Sequence, residues 1–475
     1  MAPVVKPIEA PSVAELSMKS VAIIGAGITG LTAAFRLQQK RIQVAVYEAG
    51  TRVGGVIQSL RQDGYLAEFG PNTLLETSPK IGELIRAAGL ESRKLYSDER
   101  AGNRYLVRYR RTLAMPRSPL GFFATPLFSV ATKLKLFREP FLPRWNNAYE
   151  ESVAQFVLRR LGQEFLDYAI DALVAGVYAG DPYRLSVKHG FPRLYELEQK
   201  YGSLIKGQIF GARDRKQRGE VSKQDAPKVS FDEGLQVLPD TLSARLGEAV
   251  RLDAAVVKIS RQGGDWAITA RTQGREVRQN HSAVLLTVPT HRLAEIQWDI
   301  GADASFAPLA KIHYPPVASV VLGFRRQDVA HKLDGFGMLI PKVENFNILG
   351  TLFSSSLFPN RAPAGYVTLT SYLGGMRHPD LARRDKRELY DLTVQDLRVL
   401  LGVKGEPTFR NCIVYPHAIP QYEVGYGQFK DAMNELEAKL PGLFLAGHFR
   451  HGISLSDSLV SGYDVADRIE KQVLI

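Results

Sequence analysis

The sequence predicts an α/β protein in which a discontinuous, Rossmann-type nucleotide-binding domain is joined to a mixed-sheet domain and a helical domain. Three observations carry this. Residues 21–55 read VAIIGAGITGLTAAFRLQQKRIQVAVYEAGTRVGG: a strand, a glycine-rich turn, a helix and a second strand ending in an acid. From 89 to 210 apolar residues recur mostly at helical spacing, whereas from 229 onward they fall into strand-like runs. The length of 475 residues exceeds what one hydrophobic core supports, so two or three domains are expected.

In the opening unit each residue type has a physical reason. Gly25 permits the tight turn after the Val21–Ile24 strand, Gly27 lets the backbone approach a pyrophosphate, and Gly30 lets helix and strand pack closely. The helix start offers unpaired N–H groups and a partial positive charge to phosphates. Glu48, ending the Val44–Tyr47 strand, is placed to accept hydrogen bonds from ribose hydroxyls. Its charge would repel a 2′-phosphate, which argues against NADP. Arg52-x-Gly54-Gly55 narrows the choice further. Nothing in a NAD-linked dehydrogenase calls for two more glycines there. In flavoproteins of the amine-oxidase kind the chain doubles back at that point beside the FAD pyrophosphate, with an Arg nearby, and this unit resembles theirs.

The remaining elements follow in order. SPKIGELIRAAGL predicts a helix from Pro79 to Ala88, and residues 150–171 predict another from their three- and four-residue apolar spacing. Residues 118–145 are rich in Phe and Leu, broken by Pro, and flanked by Arg117, Lys133, Lys135, Arg138 and Arg144. That composition suits a segment lying on a membrane interface with its cations towards the head groups, and equally a core helix pair with exposed basic residues. Arg213–Arg218 reads as a solvated loop. A helix feeding a hairpin is expected over 229–270, turning at Gly263-Gly264, then a buried strand at 282–290. Strands are expected at 318–324, 336–340, 347–353 and 366–372, and the chain closes as strand, glycine-rich loop and helix over 440–469. The domain reading is a disordered tail over 1–19 and a nucleotide-binding domain of 20–88, 229–290 and 410–475. A helical domain over 89–210 and a substrate domain over 291–409 complete it.

Bulk properties exclude several classes. One cysteine, Cys412, rules out an intramolecular disulfide and a cysteine-cluster metal site. The nine histidines show no metal-ligand spacing, and His448 and His451 have no second pair, so no metal is expected. The formal charge of +12 comes without a nucleic-acid motif or a dense basic block, which leaves an anionic membrane surface or an anionic substrate as its partner. No apolar run approaches the roughly 18–20 residues that span a bilayer. Residues 1–19 lack the features of a signal peptide and, with acids and no Arg, of a transit peptide. The expected location is a peripheral one on the cytoplasmic side of a membrane.

Five stretches then carry a resemblance: EAGTRVGG with EFGPNT; NRYLV; ESVAQFVLRRLG continuing to ALVAGVYAGDPYRLSVKHGFPRLYELEQKYGSL; GTLFSSSLFPNRAP; and PGLFLAGHFRHGISLSDSLVSGYDVAD. From about 20 to 470 the chain resembles the protoporphyrinogen oxidase family, in its plant and related bacterial form. The third and fourth stretches are the most specific, since general amine oxidases lack GVYAGDP and SSSLFPNRAP. The resemblance implies an FAD-binding domain in three pieces, a substrate domain and a helical, membrane-associated domain. It implies that FAD meets Gly25, Ala26, Gly27, Ile28, Thr29, Gly30, Glu48, Ala49, Arg52, Gly54 and Gly55. Gly70, Pro71, Asn72, Thr73, Val256, Gly447, Ile453, Ser454 and Leu455 follow in the same set. It also implies that Arg104 pairs with a propionate of the tetrapyrrole, while Gly176, Leu339 and Phe358 line an apolar pocket, Leu339 and Phe358 above and below the pyrrole rings. The chain departs from the family at His448, where an Asn is usual, and at His451, where a Gly is common. At these two positions the resemblance implies backbone contacts to the isoalloxazine and no family-like side-chain contacts.

The chemistry agrees with that reading. A large apolar macrocycle bearing two carboxylates needs aromatic and aliphatic walls with one or two cations at the mouth. Arg suits better than Lys because its fork meets a carboxylate at two points. Arg100, Arg104, Arg108, Arg110, Arg111 and Arg117 all qualify on residue type, and only the resemblance selects Arg104. The expected reaction is oxygen-dependent oxidation of protoporphyrinogen IX to protoporphyrin IX in haem or chlorophyll biosynthesis. Hydride transfer from a meso carbon to flavin N5 and imine–enamine tautomerisation, over three rounds, would remove six electrons and release H₂O₂. The hard chemistry belongs to the cofactor. Asn72 is a candidate catalytic residue that orients substrate or flavin, with a turn-forming Asn as the alternative. Coproporphyrinogen III is the alternative substrate; another amine-oxidase-like activity and a non-catalytic basic binding protein are more remote. A homodimer stays open.

Overall fold

The computed structural model describes residues 19–146, 149–218, 226–301 and 304–473. Residues 1–18 of the expected tail lie outside the described residues. The opening motif forms as read: a strand at Ser20–Ile24, a helix at Ile28–Gln39 and a strand at Gln43–Tyr47. These belong to a five-stranded parallel sheet in the order Val250–Arg251, Gln43–Tyr47, Ser20–Ile24, Ala283–Leu286, Leu443–Leu445. Val21, Ala22, Ile23 and all of Ala283–Leu286 are buried, because helices or loops cover both faces of such a sheet. The Leu455–Val473 helix lies against Ile28–Gln39, and Thr29 Oγ1 donates to the Ser458 carbonyl at 2.9 Å. Two ends of the chain thus meet beside the glycine turn.

The expected hairpin is Ala254–Gln262 paired antiparallel with Asp265–Thr272, and Gly263 takes the left-handed conformation (φ 60°) that the tight turn requires. A second large sheet has seven strands in the order Phe409–Tyr415, Val317–Arg325, Tyr366–Gly374, Ile348–Leu352, Gly335–Leu339, Asn103–Arg108, Arg111–Ala114. It is mixed, since Gly335–Leu339 and Asn103–Arg108 run parallel. One face carries Val320, Leu369, Leu373 and Met338, and is covered by the Lys386–Leu401 helix through Leu389, Leu397 and Leu401. The other face looks towards the glycine-rich unit.

This sheet corrects two expected boundaries. Residues 103–114, placed in the helical domain, form two of its strands: in NRYLVR the side chains alternate, Tyr105 and Val107 joining one core and Leu106 another. Phe409–Tyr415 pairs with Val317–Arg325, so residues 410–415 belong with the substrate sheet rather than with the nucleotide-binding piece that ends the chain. Two local readings also change. The helix expected over 150–171 breaks after Val153–Arg160, where Gly162 (φ 90°) turns the chain, and resumes as a short π-helical stretch and Asp171–Tyr178. Arg213–Arg218 continues a helix, Leu204–Arg218, as a run of Arg, Lys and Gln with good helix propensity can.

The helical region is held by buried charge. Arg160 donates to Glu139 and Glu198, both fully buried, and Arg159 forks onto Glu151 and Glu198. No described helix is long and apolar enough to cross a membrane.

Candidate active site

The glycine turn combines close packing with an open helix start. A Cβ on Gly30 would overlap the Gly25 carbonyl oxygen, so only glycine allows helix and strand this close. A Cβ on Gly27 would meet nothing within 4 Å: that glycine faces open space at the helix start, where no side chain caps the first N–H groups. The site therefore offers donors and room at the same point. Glu48 is fixed beside it, one carboxylate oxygen accepting from Ala26 N–H and the other from Gly50 N–H, each at 2.8 Å. Gly54 bridges Gly27 in parallel, with Gly54 N–H donating to the Ala26 carbonyl at 2.9 Å. The second pair of glycines thus returns to the turn. Arg52 does not simply point there: its guanidinium donates to the carbonyls of Val53, Gly55 and Ile57 and to Gln58, clamping its own loop. Ala49 and Gly55 are exposed beside this loop, and Gly70 presses on it, since a Cβ there would overlap the Val56 carbonyl oxygen.

The other expected cofactor residues come from distant parts of the chain. Val256 stands at a β-bulge in the Ala254–Gln262 strand. Gly447 follows the Leu443–Leu445 strand, and its N–H donates to Ser461 at 3.1 Å. Ser454 caps the closing helix: Asp457 N–H donates to Ser454 Oγ and Ser454 N–H to the Asp457 carboxylate, with Ile453 and Leu455 half-buried on either side. The two unusual histidines divide. His451 bonds Ser461 at 2.9 Å and so faces the closing helix. His448 has a buried Nε2 with no protein partner, edge-on to Tyr314. Burial holds the His448 imidazole down at about 4, so it is neutral near pH 7.

The other face of the seven-stranded sheet is packed against several segments, among them the Asp171–Tyr178 helix. Register places Leu106, Leu339, Gly350 and Tyr372 side by side across four strands. Gly176, on the Asp171–Tyr178 helix, sits directly on Leu339. Asn72 arrives on the same face from the Gly70–Thr73 loop. Its amide donates to the Tyr372 hydroxyl at 2.9 Å, and its oxygen accepts from Ser354 at 3.2 Å. Pro71 and Thr73 flank it, half-buried. Arg104 is exposed on Asn103–Arg108 and pairs in register with Gly337, two residues from Leu339. Among the other arginines of this stretch, Arg108 is buried against Glu164 and Arg100 is bound to Asp98. Phe358 stands apart from Leu339, in a cluster with Ala101, Leu357 and Phe336, with the Arg361 guanidinium 5.3 Å from its ring centroid.

Sequence reasoning missed Tyr372 and Ser354, which hold Asn72. The alternation in TLTSY was a signal for residues sharing a face, but nothing in it named the partner loop. Among the described residues no cluster of potential metal ligands occurs.

A glycine turn open to a phosphate, with an acid beside it, is the arrangement of a dinucleotide-binding protein. Comparison with known proteins agrees. The model of the flavin containing amine oxidoreductase family matches residues 28–470. The chain is 36% identical to protoporphyrinogen oxidase 2, chloroplastic/mitochondrial, of Arabidopsis thaliana, covering 96% of this chain and 94% of that one. It is 34% identical to the mitochondrial protoporphyrinogen oxidase of Nicotiana tabacum, covering 97% of each, and 28% identical to coproporphyrinogen III oxidase of Bacillus subtilis, covering 94% and 96%. In fold it matches the crystal structure of reduced UDP-galactopyranose mutase with a TM-score of 0.72 at 15% identity, over 95% of this chain and 94% of that one. The chain belongs to the flavin-containing amine oxidoreductase family, among the relatives of the protoporphyrinogen oxidases. It is an FAD-dependent oxidoreductase.

Proposed function

We propose that the protein oxidises protoporphyrinogen IX to protoporphyrin IX with dioxygen as acceptor. The observation that carries this is the pairing of Gly176 with Leu339 on the sheet face that also holds Asn72, with Arg104 two register positions away. Bound FAD would supply the two-electron oxidation and pass the electrons to oxygen. The chain's own residues do the rest. Gly25–Gly30 and Glu48 hold the ADP half; the Gly54-Gly55 and Gly70–Thr73 segments and the Ile453–Leu455 turn border the flavin; Val256 and Gly447 complete the set. Leu339 and Gly176 exclude water from the macrocycle, Phe358 backs the pocket from its separate cluster, and Arg104 pairs with a propionate.

Similarity to plant protoporphyrinogen oxidases along nearly the whole chain supports the dicarboxylic substrate. Similarity to coproporphyrinogen III oxidase keeps the tetracarboxylic one as a second reading. Assaying the flavin-loaded protein on both porphyrinogens, by the fluorescence of the porphyrin formed, separates them. Oxidation of the tetracarboxylate alone overturns the first reading.

The domain division proposed is a nucleotide-binding unit in three pieces, a substrate sheet and a helical region that rests on a membrane surface. Support for the last comes from residues 119–141, where Leu120, Phe123, Val130, Leu134, Phe137 and Phe141 are exposed, beside exposed Lys135 and Arg138. Lys133, expected to face head groups, is instead buried and donates to the carbonyls of Phe123 and Thr125.

A further inference from the structure

We propose that Tyr372 is a positioning residue for this oxidation, tying Asn72 and the Gly70–Thr73 loop to the substrate-facing sheet. The inference rests on the flavin-oxidase reading above. Asn72 and Tyr372 stand 300 positions apart in the chain, one in the nucleotide-binding unit and one in the middle of the seven-stranded sheet. The Tyr372 hydroxyl accepts from Asn72 Nδ2 at 2.9 Å and donates to the Gly70 carbonyl at 3.3 Å, so one side chain holds both ends of the turn. Asn72 Nδ2 also donates to that carbonyl at 3.3 Å, closing a three-membered ring of hydrogen bonds.

The rest of the amide is occupied too. Asn72 Oδ1 accepts from Ser354 Oγ, and Ser354 Oγ lies 2.9 Å from Thr370 Oγ1, two residues before Tyr372 on the same face. Both Asn72 donors and its acceptor thus meet protein groups, and the side chain is buried. An amide so committed acts as a fastening. Burial pushes the Tyr372 hydroxyl pKa upward, which keeps the proton that the Gly70 contact needs. Tyr372 is at the same time the register neighbour of Gly350, whose own neighbour is Leu339. The fastening therefore joins the loop bordering the flavin to the strand row that carries the substrate floor, and a displacement of either would move the other. Preorganisation of this kind acts on the reacting geometry more than on ground-state binding.

The test uses the flavin-loaded protein. Tyr372→Phe keeps the ring and removes only the hydroxyl. It should leave one FAD per chain, shift the visible flavin absorption band and lower kcat about three- to tenfold with KM little changed. Combined with Asn72→Ala it should add almost nothing. Ser354→Ala, which cuts the second tie, should move the band and kcat in the same direction, and it decides the matter should Tyr372→Phe fail to fold. Thr351→Val serves as control: Thr351 bonds Ser371 on the opposite face and does not reach Asn72. An unchanged band and kcat in Tyr372→Phe, additive losses with Asn72→Ala, or an equal effect of Thr351→Val would each overturn the proposal. Absence of porphyrinogen turnover in the unaltered protein would instead strike the functional reading, while the flavin band still reports on the tie.

Discussion

Gly176 and Leu339 are so close that a methyl group on Gly176 would overlap the Leu339 Cδ2 atom. Gly176 is itself exposed, so the crowding is on one side only, and Leu339 takes its position from a glycine on a neighbouring helix. Gly176→Ala must push the Leu339 side chain aside. The expected outcome is a KM for the porphyrinogen raised about tenfold, in line with typical overpacking costs, with FAD content unchanged. Steady-state kinetics beside flavin absorbance reads both, and an unaltered KM would remove Leu339 from the substrate wall.

Arg104→Ala should weaken substrate use without disturbing FAD. A charged hydrogen-bonded anchor contributes about 1.5–3 kcal/mol, so kcat/KM should fall roughly ten- to a hundredfold. If the same loss appears in Arg117→Ala but not in Arg104→Ala, the propionate anchor lies at the other arginine.

Glu48 orders the turn through Ala26 and Gly50 as well as facing the ligand side. Glu48→Ala should raise the Kd for FAD at least about tenfold, from loss of a charge-assisted hydrogen bond. Titrating the apoprotein with FAD by fluorescence quenching measures it; retention of stoichiometric flavin through purification and dialysis would contradict it.

Stability should depend on pH through groups of opposite sign. Burial holds His281, His291 and His448 at about 4, below the ordinary 6.5. The unfolded chain then binds protons first, so stability present above pH 6.5 is lost as pH falls towards 4. Glu68 works the other way. Burial raises its carboxyl from 4.5 to about 7, against the opposing influence of Ser59 and Arg361, so its contribution is present below pH 4.5 and lost as pH rises through 7. Urea midpoints across this range should show His448→Asn flattening the acid limb and Glu68→Gln flattening the slope between 4.5 and 7.

The exposed aromatics of residues 119–141 predict a separation of function from folding. Phe123→Ser with Phe137→Ser and Phe141→Ser should abolish sedimentation with anionic liposomes while leaving the thermal transition in place. Phe128→Ser should instead destabilise the fold by about 3–5 kcal/mol, the usual range for truncating a buried Phe, because Phe128 stacks on Phe165 at 4.3 Å. Liposome binding unaffected by the triple substitution would place the membrane contact elsewhere.

Local signals were legible wherever neighbours in sequence are neighbours in space. The glycine turn, the Gly263 hairpin and the apolar run at 283–286 each announce themselves over a few residues. Long-range pairing was not legible. Nothing in NRYLVR says that it will lie parallel to Gly335–Leu339, and its basic residues disguise a strand. The break at Gly162 was hidden because the apolar spacing resumes on its far side. The same limit applies to the site. Glu48 and Gly27 follow from a motif whose chemistry is local, whereas Arg104 could be selected from six arginines only by resemblance, and Tyr372 acquires its meaning solely from a loop 300 positions away.

The bond between Thr29 and the Ser458 carbonyl spans 429 positions. A ribosome therefore delivers the first wall of the nucleotide cleft long before the last. Until the Leu443–Leu445 strand and the helix after it emerge, the parallel sheet lacks its outer member and Thr29 lacks its partner. Flavin capture is consequently a late event in biogenesis, and nascent chains stalled before residue 443 should emerge colourless.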